Sequence, residues 1–209
     1  MKESRKEYKK NVFLEESLYR TPFAQFEAWF AEAEEKVTTE HNAFALATCS
    51  ADGRPANRML LLKEYSEGGF VFYTNYTSRK GLELEVNPKA CMLFYWTEIE
   101  KQIRIEGKIE KYGSEQSDLY FESRPIGAQA AACVSPQSKE VDRETLEKAW
   151  QQLMLEAEKS PLLRPQSWGG YILIPDYFEF WQGRENRLHD RIVYCNNKAA
   201  GWEKKRLAP

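Results

Sequence analysis

The sequence predicts a mainly β domain with flanking α-helices, built on an antiparallel sheet or barrel. Three observations carry this. Between residues 43 and 110, stretches rich in apolar and β-branched residues follow one another over hairpin-length links. A single helical pattern, Arg79 to Val86, falls among these stretches and the others lie outside them, so helices do not alternate with strands one by one, which argues against βαβ units. No Pro/Gly/Ser-rich linker divides the 209 residues, a length sufficient for one substantial core. Residues 1–20 are expected to form a flexible N-terminal arm and 21–209 a single domain.

Within the arm, Lys2 to Lys10 alternates acid and base around Tyr8, the composition of a solvated segment. Thr21 can cap a helix with Pro22 at its first position, and Phe23, Phe26, Trp29, Phe30 and Ala33 recur at helical spacing as a core stripe. Ala43 to Cys49 and Ala56 to Lys63 read as strands joined by an Asp52-Gly53 turn, and Phe70 to Thr74 as a third strand after Gly68-Gly69. Ser78 can cap a helix from Arg79 to Val86 that ends at Asn87-Pro88. Cys91 to Trp96 and Gln102 to Glu110 are two further strands. Ser114 to Glu122 is helical and stops near Pro125, because the residue before a proline avoids the α region. Ile126 to Cys133 is a second short helix, and Val141 to Glu158 a longer one of strong helix formers. Trp168 to Ile174 returns to strand, and Tyr177 to Trp181 with Leu188 to Tyr194 makes a hairpin about Gly183. No internal repeat is present.

A net charge of −2, from 30 basic and 32 acidic residues, argues against a general nucleic-acid binder. No apolar run has the length of a membrane span, and the first residues lack the apolar core of a signal peptide, so a cytoplasmic protein without a membrane partner is expected. Cys49, Cys91, Cys133 and Cys195 form no Cys-x-x-Cys pair and have only His41 and His189 as possible co-ligands. Free thiols are expected, and no metal site.

Four groups of residues suggest ligands. If the second hairpin arm is a regular strand, Arg187, His189 and Arg191 point to one side, with Leu188, Asp190 and Ile192 on the other. Two guanidinium groups flanking an imidazole call for an anion or an electron-rich ring, although a solvated strand with salt bridges to Glu179 and Glu185 uses the same residues. Ser78-Arg79-Lys80 combines a hydroxyl, two cations and a helix N-terminus, which makes either an anion site or an ordinary solvated turn. Arg58 and Lys63, five residues apart, fall on opposite faces of a regular strand. Tyr120 and Arg124 are neighbours on one helical face and suit a phosphate dianion or a plain surface pair.

Longer motifs run through the same positions: Arg58-Met-Leu-Leu-Leu-Lys63, Phe72-Tyr-Thr-Asn75, Ser78-Arg-Lys80, Gln102, Tyr120-Phe-Glu-Ser-Arg-Pro125, Val134-Ser-Pro-Gln-Ser138, Glu179-Phe-Trp-Gln-Gly183, Asn186-Arg-Leu-His-Asp-Arg191 and Arg206-Leu-Ala-Pro209. In this order, from about Arg5 to Pro209, the chain resembles the pyridoxamine 5'-phosphate oxidase family. The resemblance implies a split β-barrel of antiparallel, Greek-key type that binds flavin mononucleotide (FMN). It implies oxidation of pyridoxamine or pyridoxine 5'-phosphate to pyridoxal 5'-phosphate, with hydride passing from substrate C4' to flavin N5 and oxygen reduced to hydrogen peroxide. The implied FMN contacts are Arg58, Met59, Leu60, Leu61, Leu62, Lys63, Tyr73, Thr74, Arg79, Lys80, Gln102, Gln137, Ser138, Trp181 and Arg191. The implied substrate contacts are Lys63, Tyr120, Arg124, Arg187 and His189, the last two catalytic, with Arg5 and Tyr8 as lid contacts. Ala128 stands where many relatives carry a serine hydroxyl for the substrate phosphate. The family forms homodimers with each flavin between the chains, the Arg58/Lys63/Lys80 set coming from one and the 181–191 hairpin from the other. A split-barrel reductase acting on another substrate would keep Arg58 and 78–80 without needing Tyr120, Arg124, Arg187 and His189 together. A non-catalytic flavin or vitamin B6 binding module is the other alternative.

Overall fold

The structure is a computed structural model that describes residue 8, residues 11–199 and residues 201–209. Nine strands among them form one antiparallel sheet: β1 (Ala43–Cys49), β2 (Pro55–Leu61), β3 (Glu64–Ser66), β4 (Gly69–Asn75), β5 (Lys89–Trp96), β6 (Lys101–Lys111), β7 (Trp168–Gln182), β8 (Asp190–Asn197) and β9 (Gly201–Leu207). The α-helices are α1 (Pro22–Lys36), α2 (Arg79–Val86), α3 (Ser114–Ser123), α4 (Ile126–Val134) and α5 (Arg143–Ala157). Among the described residues no helix is long and apolar enough to cross a membrane.

The strand order β2-β1-β5-β6-β7-β4-β3 places β2 and β3 at opposite ends of the path, although only two residues separate them in the chain. Leu62 N–H donates to the Asn42 carbonyl beside β1, and Lys63 N–H donates to the Val71 carbonyl on β4, both at 2.9 Å. One continuous segment thus bonds to both ends of the sheet, which must curl to allow it. This change of partner also ends the strand expected from Ala56 to Lys63 at Leu61.

The barrel splits at β7. One edge of this strand pairs with β6 along nearly its whole length; the other pairs with β4 at 168–173 and with β8 at 177–182. A register shift between Glu106 and Gly107, opposite Pro175, accommodates the missing proline N–H. The two stretches expected as separate strands, Trp168 to Ile174 and Tyr177 to Trp181, are therefore one bent strand. β8 begins at Asp190 rather than Leu188, and β9, which the sequence reading did not anticipate, extends the sheet beyond it.

Alternation sends Phe44, Leu46, Met92, Phe94, Ile103, Ile105, Phe178 and Phe180 into the barrel interior. α1 closes one side: Thr21 Oγ1 accepts from Ala24 N–H at its start, and Phe26 meets Phe70 and Phe94 with ring centroids 4.8 and 5.5 Å away. Within the stretch expected as an arm, Phe13 is buried against Trp29. Its N–H donates to Asp190 and its carbonyl accepts from Arg206. Cys49, Cys91, Cys133 and Cys195 are free, half-buried thiols.

Candidate active site

The first part of the site forms where β4 runs into α2. The Ser78 hydroxyl is fully buried, donates to the Asn75 carbonyl and accepts weakly from Gly81 N–H. Gly81 permits the close approach this needs, since a Cβ there would lie 2.0 Å from the Tyr76 carbonyl oxygen. Lys80, only 6% exposed, turns back across the helix start and donates to Thr74 Oγ1, Gln137 Oε1 and Ser78 Oγ at 3.0, 3.0 and 3.2 Å. All three acceptors are neutral. Burial, helped by the nearby Arg58 charge, pushes the Lys80 ammonium down to about 8 despite Glu83. A buried cation without a hydrogen-bonded carboxylate is costly on its own and suits an anionic ligand.

Arg58 and Arg79 stand at the same cleft but are compensated. Glu83, buried one turn along α2, accepts from Arg79 Nε at 2.8 Å, Arg58 Nη2 at 3.3 Å and the Thr48 hydroxyl at 2.5 Å. Burial pushes the Glu83 carboxyl up, but the bonds from Thr48, Arg79 and Arg58 outweigh it and hold the pKa below the usual range. Met59 and Leu60 line the same open cleft of about 530 Å³, with Gln137 and Ser138 on the other wall. Ser138 has a left-handed backbone, φ 72°. Leu62, expected among the FMN contacts, is instead buried in the core, and Leu61 and Lys63 do not line this cleft.

A second cation lies on the far side of β4. Tyr73 stacks on Tyr120 at 3.9 Å and on Trp168 at 5.5 Å, and the Arg124 guanidinium sits 4.8 Å from the Trp168 ring centroid. Lys63 approaches the Tyr120 ring at 5.9 Å. Arg124 Nη1 is buried with no hydrogen-bond partner among the described residues, and burial holds its pKa down. Gln129 fixes the adjoining turn by donating to the carbonyls of Arg124 and Glu122 at 2.8 and 3.2 Å. Ala128, half-buried, precedes it on α4. Tyr120 and Arg124 do not share a helical face as expected, because Arg124 caps α3 with an extended backbone; both instead lie against the Trp168 ring. Trp168, easily read as core, is a neighbour of both.

The third part is the hairpin, whose second arm departs from the regular strand expected. Asn186 and Arg187 both have left-handed backbones, φ 55° and 63°, and form a turn before β8. Arg187, His189 and Arg191 consequently do not share one strand face. Arg187 is exposed on the turn. His189 folds back so that its Nδ1 accepts from Arg184 N–H at 3.0 Å, and its ring lies 4.7 Å from Trp181. Arg191 Nε donates to Glu179, which also binds Arg104, so the salt bridge considered for Glu179 exists. In register across the sheet run Tyr95, Gln102, Trp181 and Arg191. Tyr8 sits edge-on to Trp181 and His189 at 5.6 and 5.7 Å; a side chain at Gly183 would clash with its ring at 2.7 Å. Arg5 lies outside the described residues.

The expected site residues thus fall into two assemblies. Arg58, Met59, Leu60, Lys63, Tyr73, Thr74, Arg79, Lys80, Tyr120, Arg124, Gln137 and Ser138 gather around β4 and α2. Tyr8, Gln102, Trp181, His189 and Arg191 gather on the hairpin side. No hydrogen bond or ring contact among the described residues joins a member of one assembly to a member of the other. Glu83, Glu179 and Trp168 were not anticipated as site residues. For Glu83 a signal was present, since it stands four residues after Arg79 on one helical face.

Residues 30–152 match the family model for pyridoxamine 5'-phosphate oxidase, and residues 168–209 match the pyridoxine 5'-phosphate oxidase C-terminal dimerisation region. A pyridoxine/pyridoxamine 5'-phosphate oxidase of Bordetella petrii is 47% identical over 205 residues, covering 98% of this chain and 97% of that protein. The corresponding protein of Burkholderia vietnamiensis is 51% identical over 191 residues, covering 90% and 89%. Among solved structures, PhzG from Burkholderia lata, in complex with tetrahydrophenazine-1-carboxylic acid, superposes with a TM-score of 0.89 at 33% identity over 95% of this chain and 98% of that one. The cradle at Lys80, the aromatic stack at Arg124 and the long hairpin lie within the two matched regions, and the chain belongs to the pyridoxamine 5'-phosphate oxidase family.

Proposed function

We propose that the protein is an FMN-dependent oxidase that converts pyridoxamine or pyridoxine 5'-phosphate to pyridoxal 5'-phosphate, as a homodimer whose two sites each draw on both chains. The observation that supports it best is the pair of cations, buried Lys80 and half-buried Arg124 with its buried Nη1, that lack a hydrogen-bonded carboxylate among the described residues. Two such cations on either side of β4 suit two phosphates, one on the cofactor and one on the substrate. Bound FMN supplies the hydride acceptor and, through molecular oxygen, the route to hydrogen peroxide.

Lys80, with the first-turn amides of α2, holds the cofactor phosphate, while Arg58 and Arg79, steadied by Glu83, flank it. Lys63, Tyr120 and Arg124 hold the substrate phosphate. Arg187 and His189 reach the substrate from the other chain and orient its ring, which makes their contribution mainly positional. Because Arg184 N–H donates to Nδ1, neutral His189 carries its proton on Nε2 and offers it to the substrate's oxygen or nitrogen. Burial and the neighbouring Arg187 hold the His189 pKa below its ordinary value, against the opposite pull of Asp190, and so favour that neutral form. The deciding experiment is oxygen consumption by the FMN-loaded protein with each phosphorylated vitamer and its unphosphorylated form. Uptake with both phosphorylated compounds, with hydrogen peroxide and pyridoxal 5'-phosphate appearing in step, is expected; no uptake with either overturns the proposal.

Ala128 favours a second reading. It removes a hydroxyl from the anion subsite, and PhzG, of the same fold, was solved with a ring system bearing a carboxylate. Oxidation of a partly reduced aromatic carboxylic acid is the alternative, separated by the same oxygen assay with such an acid. Ala128→Ser tests the subsite directly. An added hydrogen bond to a phosphate dianion contributes about 1.5 kcal/mol or more, so the Michaelis constant for the phosphorylated substrate should fall roughly tenfold. The unphosphorylated form should not respond.

Lys80 also predicts a pH dependence. Above about pH 8 the free protein has lost the Lys80 proton, whereas a bound phosphate restores the ammonium, so binding must then take up a proton. FMN affinity should therefore fall as pH rises through about 8, by at most about tenfold per pH unit. Riboflavin, which has no phosphate, is the control in a fluorescence titration and should show no such break.

A further inference from the structure

The arginines of this fold differ in how their charge is balanced. Arg58 and Arg79 share Glu83, Arg104 and Arg191 share Glu179, and Arg184 and Arg206 share Asp190. Arg124 has no carboxylate partner among the described residues. Its guanidinium instead lies over the face of Trp168, 4.8 Å from the ring centroid, with Nη1 buried and unpartnered. A carboxylate in this position would neutralise the guanidinium and compete with an incoming anion. An aromatic face attracts the cation through its quadrupole and leaves the N–H groups free.

Trp168 is well fixed for this purpose. It is 7% exposed, its N–H donates to the Pro165 carbonyl at 2.9 Å, and its carbonyl accepts from Arg164 Nη1 at 2.7 Å. Phe121 abuts the ring edge-on at 5.6 Å. The indole lies nearly parallel to Tyr120, 6° apart in plane at 6.1 Å, and to Tyr73, 14° apart at 5.5 Å. Trp168 therefore sets the place of the guanidinium directly and the plane of the Tyr120 ring together with Tyr73, which stacks on Tyr120 at 3.9 Å and on the indole at 5.5 Å.

We propose that Trp168 is a positioning residue for the substrate's anionic group: it holds Arg124 charged but unneutralised and aligns Tyr120 beside it, and so governs substrate affinity rather than the oxidation step. This rests on the reading of Tyr120 and Arg124 as the substrate-phosphate subsite. The test uses the FMN-loaded protein with Trp168→Leu and Trp168→Phe. Binding of pyridoxal 5'-phosphate and of pyridoxal is measured by equilibrium dialysis, alongside KM and kcat for a phosphorylated substrate.

Trp168→Leu should weaken pyridoxal 5'-phosphate at least tenfold and raise KM in parallel. Pyridoxal binding, flavin content and kcat should stay within twofold, and phenylalanine should restore most of the loss. In an Arg124→Ala background the leucine substitution should cost distinctly less affinity, only what the alignment of Tyr120 contributes, since the guanidinium it supports is gone. Equal weakening of both ligands, loss of flavin, or the same penalty in both backgrounds would show a merely structural tryptophan and overturn the proposal. Unchanged affinity would overturn it too. Should the leucine variant not fold, the phenylalanine variant carries the same cycle with a loss of about threefold expected, because the smaller ring offers the cation a weaker face. Absence of turnover in the unmodified protein would count against the oxidase reading alone, because the dialysis ratios are read without turnover.

Discussion

Lys80→Met should leave a folded protein that binds FMN at least roughly 100-fold more weakly, corresponding to about 3 kcal/mol for a desolvated, charge-assisted contact to phosphate. Methionine fills nearly the same space, and the three acceptors around Nζ are neutral, so no buried charge is stranded. Arg79→Met should cost much less, because Arg79 is half-exposed and already pairs with Glu83. Riboflavin should bind the Lys80 variant as it binds the unmodified protein. Fluorescence titration of both flavins decides it: an FMN affinity within threefold of the parent would remove Lys80 from the phosphate site.

The contrast between Lys80 and Arg79 also shows what the sequence discloses. Ser78, the following helix and its end at Asn87 were legible because a capping hydroxyl, helix formers and Asn-Pro are local signals. β1 and the Thr21-Pro22 helix start were legible for the same reason. The strand β9 was not, because Gly201 to Leu207 is largely charged and exposed and owes its strand form to pairing with β8. Nor was the continuity of β7, where Pro175 reads as a breaker until the bulge at Gly107 is seen opposite it.

At the site, cations announced themselves more clearly than their partners. Arg58, Lys80, Arg124 and Arg187 stood out as residue types suited to phosphate and Glu179 as a salt-bridge partner, but Glu83 and Asp190 looked like ordinary surface acids. Their burial decides which cations remain available, and burial is a tertiary property. The regular-strand assumption failed at Arg187 because two consecutive non-glycine residues take left-handed backbones there, which spacing cannot reveal. Trp168 was ambiguous for a related reason: one ring is both buried in the fold and in contact with Arg124.

The separation of the site residues into two assemblies leads to the other large expected effect. Arg124→Ala removes the half-buried guanidinium of the β4 assembly, and Arg187→Ala removes the exposed one on the hairpin. Each loses charge-assisted or stacking contacts to the substrate, so each alone should lower kcat/KM by roughly 100-fold while FMN, held mainly through Lys80, stays bound. If each site takes one assembly from each chain, a dimer of one Arg124→Ala and one Arg187→Ala chain has one site carrying both substitutions and one carrying neither. Random exchange of equal amounts makes about half of all dimers mixed, so about a quarter of the unmodified activity should return. The experiment is reversible dissociation of differently tagged variants, re-association, and oxygen uptake by the mixture. A site built within one chain leaves every site damaged whatever the pairing; activity that stays at the level of the separate variants after tags confirm exchange would therefore rule out the shared arrangement.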